Sequence, residues 1–99
     1  MLQHLTFRWG ALTMMVIATG TYRFGALRRQ IAGISERMLA QTLQALKADG
    51  MVKRQAHDVV PPYVEYSLTP LGLEAAAHVV ALAALIEARL PLILADRAA

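Results

Sequence analysis

The sequence predicts a mainly α-helical fold with a small β-hairpin (α+β class), in a single domain over residues 1–99. Two observations predict it. Apolar residues recur at helical spacing through the first half of the chain, as far as Gly50. The period then changes from 3.6 to 2 in two short segments that bracket "VVPP", and helical spacing returns after them. We therefore expect three helices, a two-stranded hairpin and a long last helix, in that order.

The first two helices are predicted from their apolar faces and from the glycines between them. Residues from about Thr6 to Ala18 form the first helix, and Gly20 ends it. The stretch "TYR" has room only for a very short strand, and "FGALRRQIA" (residues 24–32) is a short second helix. Gly33 is expected to take a positive φ, which a tight turn between two helices often needs.

The third helix has clear end signals. Ser35 is a good N-cap, and Glu36 in the first turn suits the helix dipole. Gly50 follows as the C-terminal cap, which gives a helix of about 35–49. A helix, a tight turn and a second helix in this order predict a helix-turn-helix.

A hairpin follows directly. In the segment "YVEYSLT", Val64, Tyr66 and Leu68 alternate with polar residues, so we expect them to form one buried face of a strand. Pro61 and Pro62 cannot donate ladder hydrogen bonds and belong in the loop. A hairpin placed immediately after a helix-turn-helix is the winged-helix arrangement.

The last helix is predicted to start at a threonine cap followed by proline. Thr69 caps it and Pro70 occupies N1, where a missing N–H does no harm. Pro91 should kink or end it, and the apolar region as a whole covers about 70–95. This helix is apolar nearly all round, and the chain is 57% hydrophobic with only 17% charged residues. A single copy would leave much apolar surface in water, so we expect a homodimer with this region as its dimerisation helix.

The third helix carries a polar stripe. Arg37, Gln41 and Gln44 are spaced i, i+4, i+7 and fall opposite its leucines. In a helix-turn-helix the second helix lies in the major groove, where Arg and Gln are side chains that read base edges. The partner is therefore expected to be double-stranded DNA. The predicted base contacts are Ser35, Arg37, Gln41 and Gln44; without the hairpin, a merely solvated helix face would explain the stripe as well.

The charge distribution supports a polyanionic partner. The formal net charge is +3, and residues 1–58 hold eight Lys and Arg against three Asp and Glu. Phosphate contacts come from residues that flank a reading helix. The predicted phosphate contacts are Arg23, Arg28, Arg29, Lys47, Lys53, Arg54 and His57.

The sequence gives little support for metal binding, catalysis, cofactor binding or membrane targeting. The sequence has no cysteine, and His4, His57 and His78 lie in different elements, so we expect no metal site. No nucleophile–base arrangement and no phosphate-binding glycine loop appears, so we expect neither an enzyme nor a cofactor, and no pattern identifies a small-molecule effector. The N-terminus does not read as a signal peptide, and the apolar run at 75–86 is short for a membrane span. We expect a cytoplasmic protein without a membrane partner.

Several ordered motifs resemble the HxlR-type winged-helix transcriptional regulators. They are Arg8-Trp9, the stretch "GTYRFGALRRQIAGISERMLAQTLQALKADGMVKR" and "PPYVEYSLTPLG", of which the last is the most specific. The resemblance implies a homodimeric bacterial repressor or activator whose first and last helices form the dimer interface. The interface residues predicted on this basis are Trp9, Leu12, Leu82, Leu85 and Ile86.

The sequence also departs from that family. Members typically carry a longer N-terminal segment, often with a cysteine before the tryptophan, whereas only seven residues precede Arg8 here and thiol sensing is not expected. Many relatives have a basic residue where this chain has Tyr63, which predicts a weak wing contact to phosphate. Two hypotheses follow: a sequence-specific dimeric DNA-binding regulator, or a winged-helix module that binds a protein partner and not DNA.

Overall fold

The computed structural model describes the backbone of residues 2–98 and the side chains of residues 8–92, 94 and 95. The elements in chain order are α1 (Leu2–Ile17), α2 (Phe24–Gln30), α3 (Glu36–Ala48), β1 (Val52–His57), β2 (Tyr63–Leu68), α4 (Pro70–Ala88) and α5 (Leu90–Ala98). The two strands pair antiparallel, with Val52 opposite Leu68 and His57 opposite Tyr63. This order confirms the predicted winged helix-turn-helix.

One core holds the helix-turn-helix to the hairpin. It is built from large apolar side chains contributed by α1, α2, the turn, α3 and the first residue of β1. These buried residues are Ile17, Leu27, Ile31, Ile34, Leu39, Leu43 and Val52. Because α3 contributes only one face to this core, its opposite face is free to carry polar residues.

The turn between α2 and α3 forms as predicted. Gly33 has φ +84°, a conformation that other residues rarely adopt. The Ser35 hydroxyl accepts a hydrogen bond from the backbone N–H of Met38 at 3.0 Å, which caps α3. Gly50, with φ +76°, ends the same helix.

A tight joint fixes α4 against the end of α3. The Thr69 hydroxyl donates to the carbonyl oxygens of Gly50 and Met51, at 2.6 and 3.2 Å, and accepts from the N–H of Gly72 at 2.9 Å. A Cβ on Gly72 would lie 2.0 Å from the Met51 carbonyl oxygen. Only glycine permits this approach, which explains the Thr-x-x-Gly part of the signature "SLTPLG".

The "TYR" segment contributes a single strand residue. Tyr22 forms an isolated antiparallel bridge with Tyr66, in which its N–H donates at 2.9 Å and its carbonyl accepts at 2.7 Å. The hairpin therefore has a one-residue third strand that ties it to the start of α2.

The structure corrects several predicted boundaries. Helix α1 starts earlier than predicted, at Leu2, and α2 ends at Gln30, before residues 31–32. Pro91 does not end the helical region as predicted: α4 ends at Ala88, and a second helix, α5, begins at Leu90. Pro91 is the second residue of α5, where no intrahelical N–H bond is needed.

The predicted one-sided burial of β2 is wrong. All six of its residues are half-buried, including Tyr63 and Glu65 on the supposedly exposed face. The reason is that His57 of β1 and Arg23, which precedes α2, cover that second face.

Helix α4 is long and mostly uncovered within one copy. Its most apolar 18-residue window has a mean hydropathy of 1.7 and is 11% buried, so by length and composition alone it could cross a membrane. Gly72 and Ala76 are its buried residues. The same properties suit a helix that packs against another protein chain.

Candidate nucleic-acid interface

The exposed face of α3 carries the predicted reading residues together. Arg37, Gln41 and Gln44 are all exposed, while Leu39 and Leu43 on the opposite side are buried. Within the described part of the chain, none of these three polar side chains makes a hydrogen bond or an ion pair with another residue. Their donors and acceptors are therefore available to an external partner.

Ser35 has a structural role at the start of this face. Its hydroxyl oxygen accepts from the Met38 N–H as the N-cap of α3, so the lone pair used in the cap is not offered outward. The hydroxyl proton remains free to donate. Ser35 can therefore still make the predicted contact, by donating its proton or through its second lone pair.

The two arginines of α2 differ in their ion pairing. Arg28 forms an ion pair with Glu36 across the helix-helix turn, with Nη1 3.3 Å from Oε1. Both side chains are at least half exposed, at 50% and 70%, so water screens the pair and its contribution to stability is small. Arg29 is exposed, and no ion pair to it is found among the described side chains.

A groove separates α3 from the hairpin and brings two predicted cations together. Its lining includes Gln44 and Lys47 from α3 and Arg54 and Tyr66 from the strands. Lys53 precedes Arg54 on β1, and successive strand side chains point to opposite faces, so Lys53 faces away from this groove. The structure thus joins Lys47 and Arg54 beside the reading stripe and separates Lys53 from them.

A cluster at the far end of the hairpin was not foreseen in the sequence. The Arg23 guanidinium carbon lies 3.9 Å from the centroid of the Tyr63 ring, and the His57 ring stacks on Tyr63 with centroids 4.5 Å apart. His57 Nε2 also lies 2.6 Å from Glu65 Oε1. We call Arg23, Tyr63, His57 and Glu65 the wing cluster. The pairing of residue 57 with residue 63 across the hairpin was the sequence signal that could have revealed half of it.

The predicted dimer residues separate into core and surface. Trp9 is half-buried and packs against the core cluster of its own chain, while Leu12 is 37% exposed. On α4, Leu82 and Leu85 are each 54% exposed and Ile86 is 48% exposed. The α4 residues therefore form an apolar surface that the described part of one copy does not cover.

The fold and this surface define a winged helix-turn-helix protein whose α3 has an exposed polar face flanked by cations. Residues 4–93 match the HxlR-like helix-turn-helix family. The HTH-type transcriptional regulator YtfH of Escherichia coli (strain K12) is 56% identical over 96 residues, which cover 97% of this chain and 76% of that protein. The solved structure of YtfH from Salmonella typhimurium has a TM-score of 0.84 at 53% identity and covers 99% of this chain and 88% of that one.

A more distant neighbour shares the fold. The reduced form of YodB from Bacillus subtilis, a transcriptional regulator, has a TM-score of 0.73 at 32% identity, covering 81% of this chain and 78% of that one. The chain belongs to the HxlR-like helix-turn-helix family. It is a DNA-binding transcriptional regulator, as the resemblance of its motifs implied.

Proposed function

We propose that this regulator acts as a homodimer in which each copy places α3 in the major groove of double-stranded DNA. The observation that carries the proposal is the exposed and unpaired stripe of Arg37, Gln41 and Gln44 on the second helix of the helix-turn-helix. An Arg side chain can donate two hydrogen bonds to guanine, and Gln can pair with adenine in the same bidentate way. These three residues read bases, with Ser35 donating from the start of the helix.

Phosphate contacts surround this stripe. Arg29, Lys47 and Arg54 are exposed, and no described side chain forms an ion pair with them, so they offer cations beside α3. Arg28 exchanges its exposed ion pair with Glu36 for a phosphate, since a screened surface pair is weak. Lys53 contacts phosphate from the other face of the hairpin. His57 acts within the wing cluster, because its ring stacks on Tyr63 and its Nε2 lies 2.6 Å from Glu65 Oε1.

Dimerisation follows from the apolar surface of α4 and α5. Leu82, Leu85 and Ile86 share one side of α4, and Leu92 and Leu94 of α5 are 68% and 54% exposed. Covering this surface with a second copy removes it from water and sets two reading helices at a fixed spacing. The helix thus serves a partner chain and not a bilayer, and the regulator works in the cytoplasm without catalytic activity.

Selection of bound sequences from a random duplex library, followed by fluorescence anisotropy, tests this function. We expect a near-palindromic site, and an affinity for random duplex that falls by orders of magnitude between low and moderate salt. Replacing Arg37 and Gln41 together by Ala should remove the preference for the selected site. Gln30→Ala is the matched control, since Gln30 lines a cavity against α1 and not the reading face.

The same experiment separates this function from the alternative of a winged-helix module that binds a protein partner. A protein that forms its dimer but shows no salt-dependent binding to any duplex would be a winged-helix module for a protein partner. If the Arg37 and Gln41 double variant binds the selected site as tightly as the unmodified protein, the stripe does not contact bases and is only a solvated helix face.

A further inference from the structure

The wing cluster joins the start of the helix-turn-helix to the far end of the hairpin. Arg23 is the residue before α2, and Tyr63 is the first residue of β2, 40 positions later. The bridge between Tyr22 and Tyr66 brings these two segments side by side. The two backbone hydrogen bonds between Tyr22 and Tyr66 therefore place Arg23 near Tyr63.

The Tyr63 ring contacts two groups. The Arg23 guanidinium carbon is 3.9 Å from the ring centroid, and the His57 ring stacks at 4.5 Å with an interplanar angle of 20°. Glu65 Oε1 lies 2.6 Å from His57 Nε2, although the approach is not that of a hydrogen bond.

The contact over the Tyr63 ring leaves the N–H groups of Arg23 free for another partner. The five N–H donors of a guanidinium lie in its plane, so stacking on an aromatic face does not consume them. Arg23 is exposed, and no hydrogen bond from its guanidinium is found among the described residues. An Arg held in this way is a cation whose orientation is already set before a phosphate arrives, which reduces the entropy lost on binding.

We propose that Tyr63 is a positioning residue for DNA binding: it holds the Arg23 guanidinium so that its N–H edge meets a phosphate, and the far end of the hairpin thereby contributes to binding through Arg23. The proposal rests on the proposed function, since it assumes that the dimer binds duplex DNA. It also gives the tip of the hairpin, residues 55–63, which holds no Lys or Arg, a way to contribute to affinity.

The test is a double-mutant cycle on the full chain, with anisotropy measured on the selected site. An exposed cation–π contact corresponds to about two- to fivefold in affinity, so two wings per dimer give a loss of about five- to thirtyfold for Tyr63→Leu. In an Arg23→Ala background, Tyr63→Leu should cost nothing further. Tyr63→Phe keeps the ring and should bind within about twofold of the unmodified protein, given the same magnitudes.

A second variant guards against loss of folding in Tyr63→Leu. Arg23→Lys keeps the charge and can still lie over the ring, but it lacks the planar fork of N–H donors that the ring orients, and it lies on the surface. We expect it to lose affinity for the selected site while the slope of log affinity against log salt is unchanged.

Three outcomes are separable. Arg23→Lys with unmodified affinity, or Tyr63→Leu losing the same factor with and without Arg23, would overturn the positioning role while leaving DNA binding intact. If the unmodified protein binds no duplex, the proposed function itself fails. Equal unfolding midpoints of Tyr63→Phe and Tyr63→Leu, with only the latter weakened on DNA, would support the proposal.

Discussion

Replacing Gly72 by Ala should destabilise this protein more than almost any other change of one methyl group. The added Cβ would lie 2.0 Å from the carbonyl oxygen of Met51 and 2.9 Å from its carbonyl carbon, whereas ordinary contact begins at 3.4 Å. The start of α4 and the turn after α3 must therefore separate by more than 1 Å. Both atoms are backbone, so no side-chain rotation can relieve the clash.

The cost can be worked from the interactions that this separation breaks. The Thr69 hydroxyl lies 2.6 Å from the Gly50 carbonyl oxygen, and the Thr69 N–H donates to Met51 at 3.0 Å. Two hydrogen bonds at about 1 kcal/mol each and an overpacking cost of about 1–3 kcal/mol give about 3–5 kcal/mol. Domains of this size are stable by about 5–15 kcal/mol, so the variant should lose at least about a fifth of its stability.

Urea unfolding followed by circular dichroism measures the effect. With a slope of about 2 kcal/mol per molar urea, the midpoint of Gly72→Ala should fall by about 2 M. Protein concentration must be equal across variants, because dimer stability depends on it. Gly10→Ala is the control: Gly10 lies inside α1 with nothing within 4 Å of an added Cβ, and Ala there should stabilise the helix by about 0.5–1 kcal/mol. A Gly72→Ala midpoint equal to that of the unmodified protein would refute the reasoning.

Three further predictions concern DNA and assembly. Arg37→Ala or Gln41→Ala should flatten the preference at particular operator positions by about 1–3 kcal/mol, measured by competition between single-base variants of the site; uniform weakening on all sequences would contradict this. Arg29→Ala should instead weaken selected and random duplex in parallel and make the salt slope shallower by about one unit for each phosphate that is no longer neutralised, so an unchanged slope would remove Arg29 from the phosphate-binding residues. Leu85→Glu should produce monomers or insoluble protein, because a second copy would bury an unpaired charge, whereas the unmodified protein should sediment at about twice its chain mass. A soluble monomer at micromolar concentration without any substitution would contradict the dimer.

Local signals in the sequence were sufficient for most of the fold. Ser35, Gly50 and the Thr69-Pro70 pair each act within a few residues of their own position, so a cap or a turn could be predicted from them and is confirmed. The resumption of helix as α5 was missed because proline is read as a stop signal. Within the first turn of a helix proline removes no hydrogen bond, and position 91 is such a place.

The sequence could predict those parts of the candidate site that depend on local structure, but not those that depend on tertiary contacts. The stripe on α3 depends only on helical period, and the structure places all three of its residues on one exposed face. The partners of Arg23 and Arg28 depend on tertiary arrangement: Tyr63 is distant in sequence, and Glu36 is reached only across the turn at Gly33. The sequence identifies these arginines as cations, but it does not show which of them contact other side chains of the same chain.

The joint at Thr69 and Gly72 links the two halves of the proposed mechanism. Helix α3 ends at Ala48, and the two residues that follow its cap, Gly50 and Met51, accept hydrogen bonds from the residue immediately before α4. The proposed dimer surface lies on α4 and the proposed reading stripe on α3, so the distance between the two α3 helices of such a dimer would depend on the angle at this joint. A hinge there would allow many half-site spacings, whereas a contact that admits no Cβ allows one. The glycine that makes the fold intolerant of a methyl group is therefore also what would give the homodimer a fixed spacing on DNA.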